Sequence, residues 1–434
     1  MCQKPDREGG PVTQVALPHG RASDTITTIM SVSELIYDWN TVEPQLQKPD
    51  RHIGFDDETL RDGLQSPSVC EPPVEQKIEL LHLMDALGID TADIGLPGAG
   101  GTHAAGVEAM AREIAEKKLK IRPNCAARTH RNDILPIAEI SQRAGIPIEA
   151  CTFIGSSPIR FYAEEWTLDR LLKLTEDAVT LAVNEGLPVM FVTEDTTRAD
   201  PETIRALYTT AIRCGARALC VCDTVGHATP DGAREVVKFV RGIIDEQGEK
   251  VRLDWHGHQD RGLGVINSIA AIQGGADQVH GSALGMGERV GNTPMDQLLV
   301  NLKLMGWIDN DLTRLREYCD KAAEACRWTI PLNYPVFGKD AFRTATGVHA
   351  AAVIKSYRKG DTELADLIYS GVPAGQFGLK QVIEIGPMSG KSNVLFWLES
   401  HGLEASEERV NRIYESAKKA SAVLSEDEVL SLIN

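Results

Sequence analysis

The sequence predicts an α/β protein: a (β/α)8 barrel followed by a mainly helical C-terminal appendage. Three observations lead there. Short β-type runs alternate with amphipathic helical stretches about every 30 residues, eight such units fit between residues 51 and 306, and the alternation stops beyond residue 306. Alternating βα units call for a parallel sheet with helical crossovers, and eight units are the number that closes a barrel. An open, doubly wound sheet is the alternative.

The β-type runs are, in order, "HIGFDD" (52–57), "TADIGL" (91–96), "IRPNCAA" (121–127), "IEACTFIG" (148–155), "VMFVTED" (189–195), "ALCVCDTVG" (218–226), "VRLDWHGH" (251–258) and "DQVHGSALG" (277–285). Between them lie helix formers such as "EQKIELLHLMDAL", "RLLKLTEDAVTLAV" and "DGAREVVKFVRGIIDE". Residues 307–434 lose the strand alternation. There, 312–328 and 406–433 read as helices by apolar spacing, on either side of a Gly/Pro-punctuated segment. Residues 1–50 are polar, Pro/Gly-rich at the start and aperiodic, and read as a flexible tail. The pentapeptide "QKPDR" occurs at 3–7 and again at 47–51, too little for a repeat fold.

Composition narrows the class. Of 434 residues, 25% are charged and 42% hydrophobic, the mix of a globular chain with a core. A formal charge of −17 argues against a nucleic-acid or anionic-membrane surface. No apolar stretch approaches the roughly 20 residues of a membrane span, and the N-terminus lacks the apolar region of a signal peptide. A cytoplasmic enzyme is therefore the expectation. The nine cysteines are scattered; Cys220 and Cys222 sit in an apolar run and read as core thiols of a reducing compartment.

In a barrel, chemistry gathers at the C-terminal ends of the strands. Those ends carry Asp56, Asp57, Glu58, Arg61 and Asp62 on the first unit, and Ser156, Ser157 and Arg160 on the fourth. The fifth unit gives Glu194, Asp195 and Arg198, the sixth Asp223 and Thr224, the seventh His256, His258 and Asp260, and the eighth Glu288, Arg289 and Asn292. His256 and His258 are two apart, so on a strand both imidazoles share a face. With a carboxylate from another strand they make a facial site for a divalent ion. Asp62 and Asn292 belong to the neighbouring first and eighth units. The alternative is a strand-end histidine pair within a hydrogen-bond network.

The segments "ETLRDGLQ", "DTVGHATP", "HGHQDRGLGVINSIAAIQGGADQVHGSALGMGERVGN" and "GVHAAAVIK" resemble, in order, signature segments of the DRE-TIM metallolyase superfamily. The likeness is to its 2-isopropylmalate, citramalate and homocitrate synthases, and it runs from about residue 52 to at least residue 400. It implies a TIM barrel that condenses acetyl-CoA with an α-keto acid and then hydrolyses the thioester, in amino-acid biosynthesis of the leucine type. The implied metal is Mg, Mn, Zn or Co, held by Asp62, His256 and His258 with Asn292 as a ligand or beside it. Arg61 would sit by the reacting carbonyl, while Glu194 and His349 would serve as the base pair. Thr224 would bind the keto acid carboxylate, with Gln65, Ser157 and Arg160 as further substrate-binding candidates. The resemblance also implies a homodimer in which His349 can reach the partner's site.

Some positions depart from that pattern. Leu64 stands where many synthases have glutamate, and "RDGLQ" resembles the related hydroxymethylglutaryl-CoA lyases. Those lyases carry a catalytic cysteine in the loop after strand 8, where this chain has "GMGERVGN". Lyase-type carbon–carbon cleavage is thus one alternative reading, and a catalytically silent binding homologue another. Arg160 falls where isopropylmalate synthases often place histidine; such a cation could favour a more acidic keto acid or serve the acyl-CoA side. "GPMSGKS" (386–392) is one residue short of a phosphate loop and lacks its strand–helix frame, and "GLPGAGG" (95–101) lacks the dinucleotide spacing.

Overall fold

The computed structural model describes residues 35–44 and 46–433. Residues 1–34 and Gln45, and with them most of the expected tail and the first "QKPDR", lie outside the described residues. Residues 1–42 form a unit apart from 43–434. Its described part has one turn of 3-10 helix at Trp39–Thr41, capped by the Asp38 carboxylate, which accepts from the Asn40 N–H at 2.9 Å.

Eight parallel strands close a barrel in sequential order: β1 (Gly54–Asp57), β2 (Thr91–Asp93), β3 (Arg122–Arg128), β4 (Glu149–Gly155), β5 (Val189–Glu194), β6 (Ala218–Asp223), β7 (Arg252–Gly257) and β8 (Gln278–Gly281). The helices between and after them are α1 (Val74–Ala86), α2 (Gly101–Lys117), α3 (Arg131–Ala144), the short α4 (Pro158–Glu164), α5 (Leu168–Asn184), α6 (Pro201–Cys214), α7 (Pro230–Gln247), α8 (Gly264–Gly274) and α9 (Met295–Leu304). The open sheet is thereby excluded: β1 pairs with β8, placing Asp56 opposite His280.

Helix α7 shows how the sequence sets an element. The Thr229 hydroxyl accepts from the Gly232 N–H and Pro230 opens the first turn. Ala233, Val237, Val240, Ile243 and Ile244 fall on one buried stripe, worth roughly 1.5–3 kcal/mol for each large aliphatic. Gly248, in the left-handed conformation, ends it. Gly274 of α8 lets that neighbour come close: a Cβ there would lie 2.6 Å from the Arg234 carbonyl oxygen.

Beyond the barrel, α10 (Leu315–Cys326) packs back on it, and the Tyr318 hydroxyl donates to the buried Asp57 carboxylate and lies 3.2 Å from Thr59 Oγ1. The chain continues through β9 (Arg343–Thr344), α11 (Gly347–Arg358), α12 (Thr362–Leu367), β10 (Val382–Ile383), α13 (Lys391–Ser400), α14 (Glu407–Lys419) and α15 (Glu426–Ser431). The 406–433 stretch is therefore two helices. Ala420 is extended, and Ser425 with Glu428 forms a capping box that restarts the chain as α15. The 386–392 stretch is a packing turn, with the Ser389 hydroxyl donating to the Ala345 carbonyl at 2.7 Å. Among the described residues no helix is long and apolar enough to cross a membrane.

Candidate metal centre and its cavity

Parallel closure puts every strand's C-terminal end on one face, and the turn after β1 carries Arg61 and Asp62 over the barrel mouth. His256 ends β7 and His258 follows it. Asn292 returns antiparallel to His258 through a turn that only glycine permits at 291, where φ is +95° and a Cβ would lie 1.8 Å from the Gly285 carbonyl oxygen.

The three expected ligands meet. His256 Nε2 and His258 Nε2 are 3.2 Å apart, and Asp62 Oδ2 lies 3.5 Å from the first and 3.8 Å from the second. All three residues are buried. Two facing imidazole nitrogens need a proton or a cation between them. Burial, then the neighbouring His256, push the His258 imidazole down to about 4, which keeps its lone pair free at neutral pH. Asp62 Oδ1 and Asn292 Oδ1 are buried without a hydrogen-bond partner, and the Asn292 amide nitrogen donates to the Met286 carbonyl at 3.0 Å. Buried oxygens left unpaired beside two imidazoles and a carboxylate are a donor set that fits a divalent ion.

Arg61 is clamped beside this group. Nε donates to Asp93 Oδ2 at 2.8 Å, Nη1 to Asp62 Oδ2 at 3.1 Å, and Nη2 to Glu58. Burial alone would lower its pKa, but Glu58, Asp62 and Asp93 hold it well above the ordinary value. Glu58 also lies 3.5 Å from His256 Nδ1 and 3.1 Å from His280 Nδ1. His280 Nε2 is in turn 3.2 Å from Asp254 Oδ2. Against burial, Asp56, Asp254 and Glu58 raise the His280 pKa well above its usual value, and both its ring nitrogens are already engaged by Glu58 and Asp254, so it supports the ligand group from beside it. Glu58, Asp93 and His280 had no assigned part in the sequence reading. Their signal was there: polar residues at inward positions of β1, β2 and β8, where a packing core asks for aliphatics.

A cavity of about 260 Å³ opens over this network. Arg61, Asp62, Gln65, Glu194, Thr224, His256 and His258 all line it. Burial raises the Glu194 carboxyl above its usual value. The Thr224 hydroxyl accepts from the Asp195 N–H at 2.8 Å. Cys220 and Cys222 are free thiols, buried among the strands yet on the cavity wall, with sulfurs 3.8 Å apart.

Three expected residues stand elsewhere. Arg160 lies 3.6 Å from Glu164, with its guanidinium 5.4 Å over the Trp166 ring. It lines a second cavity, of about 520 Å³, together with Arg128, Arg170 and His130; that cavity shares Phe153 and Glu194 with the first. Ser157 stands at the residue before α4 without bonding its N-terminus; its buried hydroxyl has no partner and is not on the first cavity's wall. His349, in the first turn of α11, is exposed and stacks on Tyr369 at 4.2 Å between ring centres, outside the cavity lining.

Residues 52–320 match the model of the HMGL-like family. The chain is 32% identical over 377 residues to the homocitrate synthase AksA of Methanopyrus kandleri, covering 86% of this chain and 89% of that one. It is 31% identical to a probable 2-isopropylmalate synthase of the same organism (86% and 70% covered) and 28% identical to the (R)-citramalate synthase CimA of Methanocaldococcus jannaschii (84% and 70%). Among solved structures, the HMG-CoA lyase of Brucella melitensis superposes with a TM-score of 0.53 at 18% identity, over 64% of this chain and 99% of that one. That likeness is one of fold.

Proposed function

The chain belongs to the HMGL-like family of the DRE-TIM metallolyase superfamily, and from that membership we propose that it is a divalent-metal-dependent synthase joining acetyl-CoA to an α-keto acid. The observation that carries this reading is the buried Asp62–His256–His258 group with the Arg61 guanidinium bonded to its carboxylate. Asp62, His256 and His258 would hold Mg, Mn, Zn or Co, with Asn292 beside them. A divalent ion held there supplies Lewis acidity toward a chelating keto acid.

The chain's own groups do the rest. The Arg61 guanidinium spends three of its five N–H groups on carboxylates, and the remaining two can meet the negative charge developing on the keto oxygen. The Thr224 hydroxyl and the Gln65 amide orient the keto acid. Glu194, its pKa raised by burial, works with His349 to take the proton from the acetyl methyl group. The new carbon–carbon bond joins that methyl carbon to the keto carbon, and water then cleaves the thioester, releasing CoA and a 2-alkylmalate-type acid. The second cavity, with Arg128, Arg160 and Arg170 next to Glu194, suits the phosphates of the acyl-CoA.

The test is release of free CoA thiol from acetyl-CoA across a panel of α-keto acids. We expect release that depends on the keto acid, stops with a chelator and returns with a divalent ion. Metal-loaded protein that releases none with any keto acid, yet cleaves a hydroxyacyl-CoA, would move the assignment to the lyases.

The exposed position of His349 supports action in trans within a homodimer. Val348, Tyr369 and Met388 are exposed near it in the chain's C-terminal part, and Ile159 and Tyr162 are exposed on α4 and Val290 on the loop after β8. Two apolar surfaces on one chain suit each other across a pair of copies. Mixing Asp62→Ala chains with His349→Ala chains is expected to restore about a quarter of wild-type CoA release. Verified heterodimers with no activity would put His349 to work on its own barrel.

A further inference from the structure

We infer that the keto acid taken by this cavity is monocarboxylic with an apolar side chain, and that a dicarboxylic keto acid is rejected. This rests on the condensing reading above and names its substrate class. The apolar part of the cavity lining includes Leu96, Ala126, Phe153, Met190, Val192 and Cys220. Met190 and Val192 sit at i and i+2 on β5 with Glu194 at i+4, so one inward row runs from apolar floor to carboxylate rim.

Charge points the same way. Glu58, Asp62, Asp93, Glu194 and Glu288 all line the cavity, and among the described residues Arg61 is the only Arg or Lys that does. Three of those carboxylates already take up its guanidinium. His280 is paired with Glu58 and Asp254. A second substrate carboxylate would lose its hydration against this wall and find no counter-ion, which discriminates strongly against it. Arg160 lines the second cavity rather than this one, and its charge is already set against Glu164 and against Glu194, the carboxylate the two cavities share.

The experiment compares 2-oxoglutarate with its isostere bearing an isopropyl group in place of the distal carboxylate. It reads kcat/KM from CoA release, and separately the affinity of metal-loaded protein for each acid by calorimetry. The isostere is expected to win by at least about 100-fold in both readouts, the scale set by a buried polar group left unpaired. Equal or better use of 2-oxoglutarate overturns the inference while leaving the condensing reading intact. Tighter binding of the isostere without any CoA release sinks the condensing reading and keeps the cavity's preference; binding of neither acid, or of both equally, overturns it. Val192→Lys places a cation in the half-buried part of the wall and is expected to shift the ratio at least about tenfold toward 2-oxoglutarate. A variant with wild-type thermal unfolding and an unchanged ratio removes this wall as the cause.

Discussion

His256→Ala protein is expected to lose its divalent ion and with it more than about 100-fold of keto-acid-dependent CoA release, since a residue that only supports a ligand already costs up to that much. The reason is geometric. His256 presents Nε2 to His258 and Asp62 while Nδ1 faces Glu58, so one ring joins the ligand group to the charged support beneath it. Removing the ring leaves one imidazole and one carboxylate, too few for a facial site. His280→Ala removes a support and not a ligand, and its loss should stay between about tenfold and 100-fold. Elemental analysis after dialysis, alongside the CoA assay, checks both. His256→Ala chains that retain one ion each, at wild-type affinity, would reduce the pair to a hydrogen-bonded strand end.

Arg61→Ala should damage the fold as well as the chemistry. The guanidinium binds Glu58, Asp62 and Asp93, whose side chains are almost fully buried. Taking away the cation strands those carboxylates in a low-dielectric interior, and breaking a buried pair costs about 3–5 kcal/mol. We expect a clear drop in the denaturant midpoint together with loss of CoA release. Arg61→Lys should fall between, because a single ammonium keeps the charge but cannot span three carboxylates on three sides. An Arg61→Ala midpoint equal to wild type would mean that these acids simply take up protons or water at no cost.

The expected ligand group and the observed one coincide at Asp62, His256 and His258 for a reason that can be stated. The i, i+2 spacing of the histidines is a local property of a strand, and the adjacency of the first, seventh and eighth units follows once eight units close. Each expected β-type run overlaps its strand, because buried parallel strands are short apolar runs between helical stretches. Helices α11 to α13 were harder to see. Their Gly- and Pro-rich surroundings mask a modest apolar stripe, and their faces are settled by contacts far along the chain, such as Ala350, Val353 and Ile354 meeting Ile383.

Side-chain direction at the rim was not legible at all. Arg160 follows β4 and Glu194 ends β5, yet Arg160 turns over Trp166 into a separate cavity while Glu194 lines both. The turn after β4 and the packing of its short helix make that choice, and no spacing rule encodes it. The same holds for His349, whose place outside the cavity depends on how the C-terminal helices pack.

What the sequence alone determined is the eightfold alternation, the set of donors at the strand ends and the family resemblance, all of which depend on local periodicity and residue type. Only the tertiary structure decided that Glu58 would sit between Arg61, His256 and His280, that the cavity over them would gather apolar side chains from several strands, and that Arg160 and His349 would stand apart. Those outcomes hang on strand register, Cys222 against His256 between β6 and β7 and Asp56 against His280, and the second exists only once the first strand has closed on the eighth.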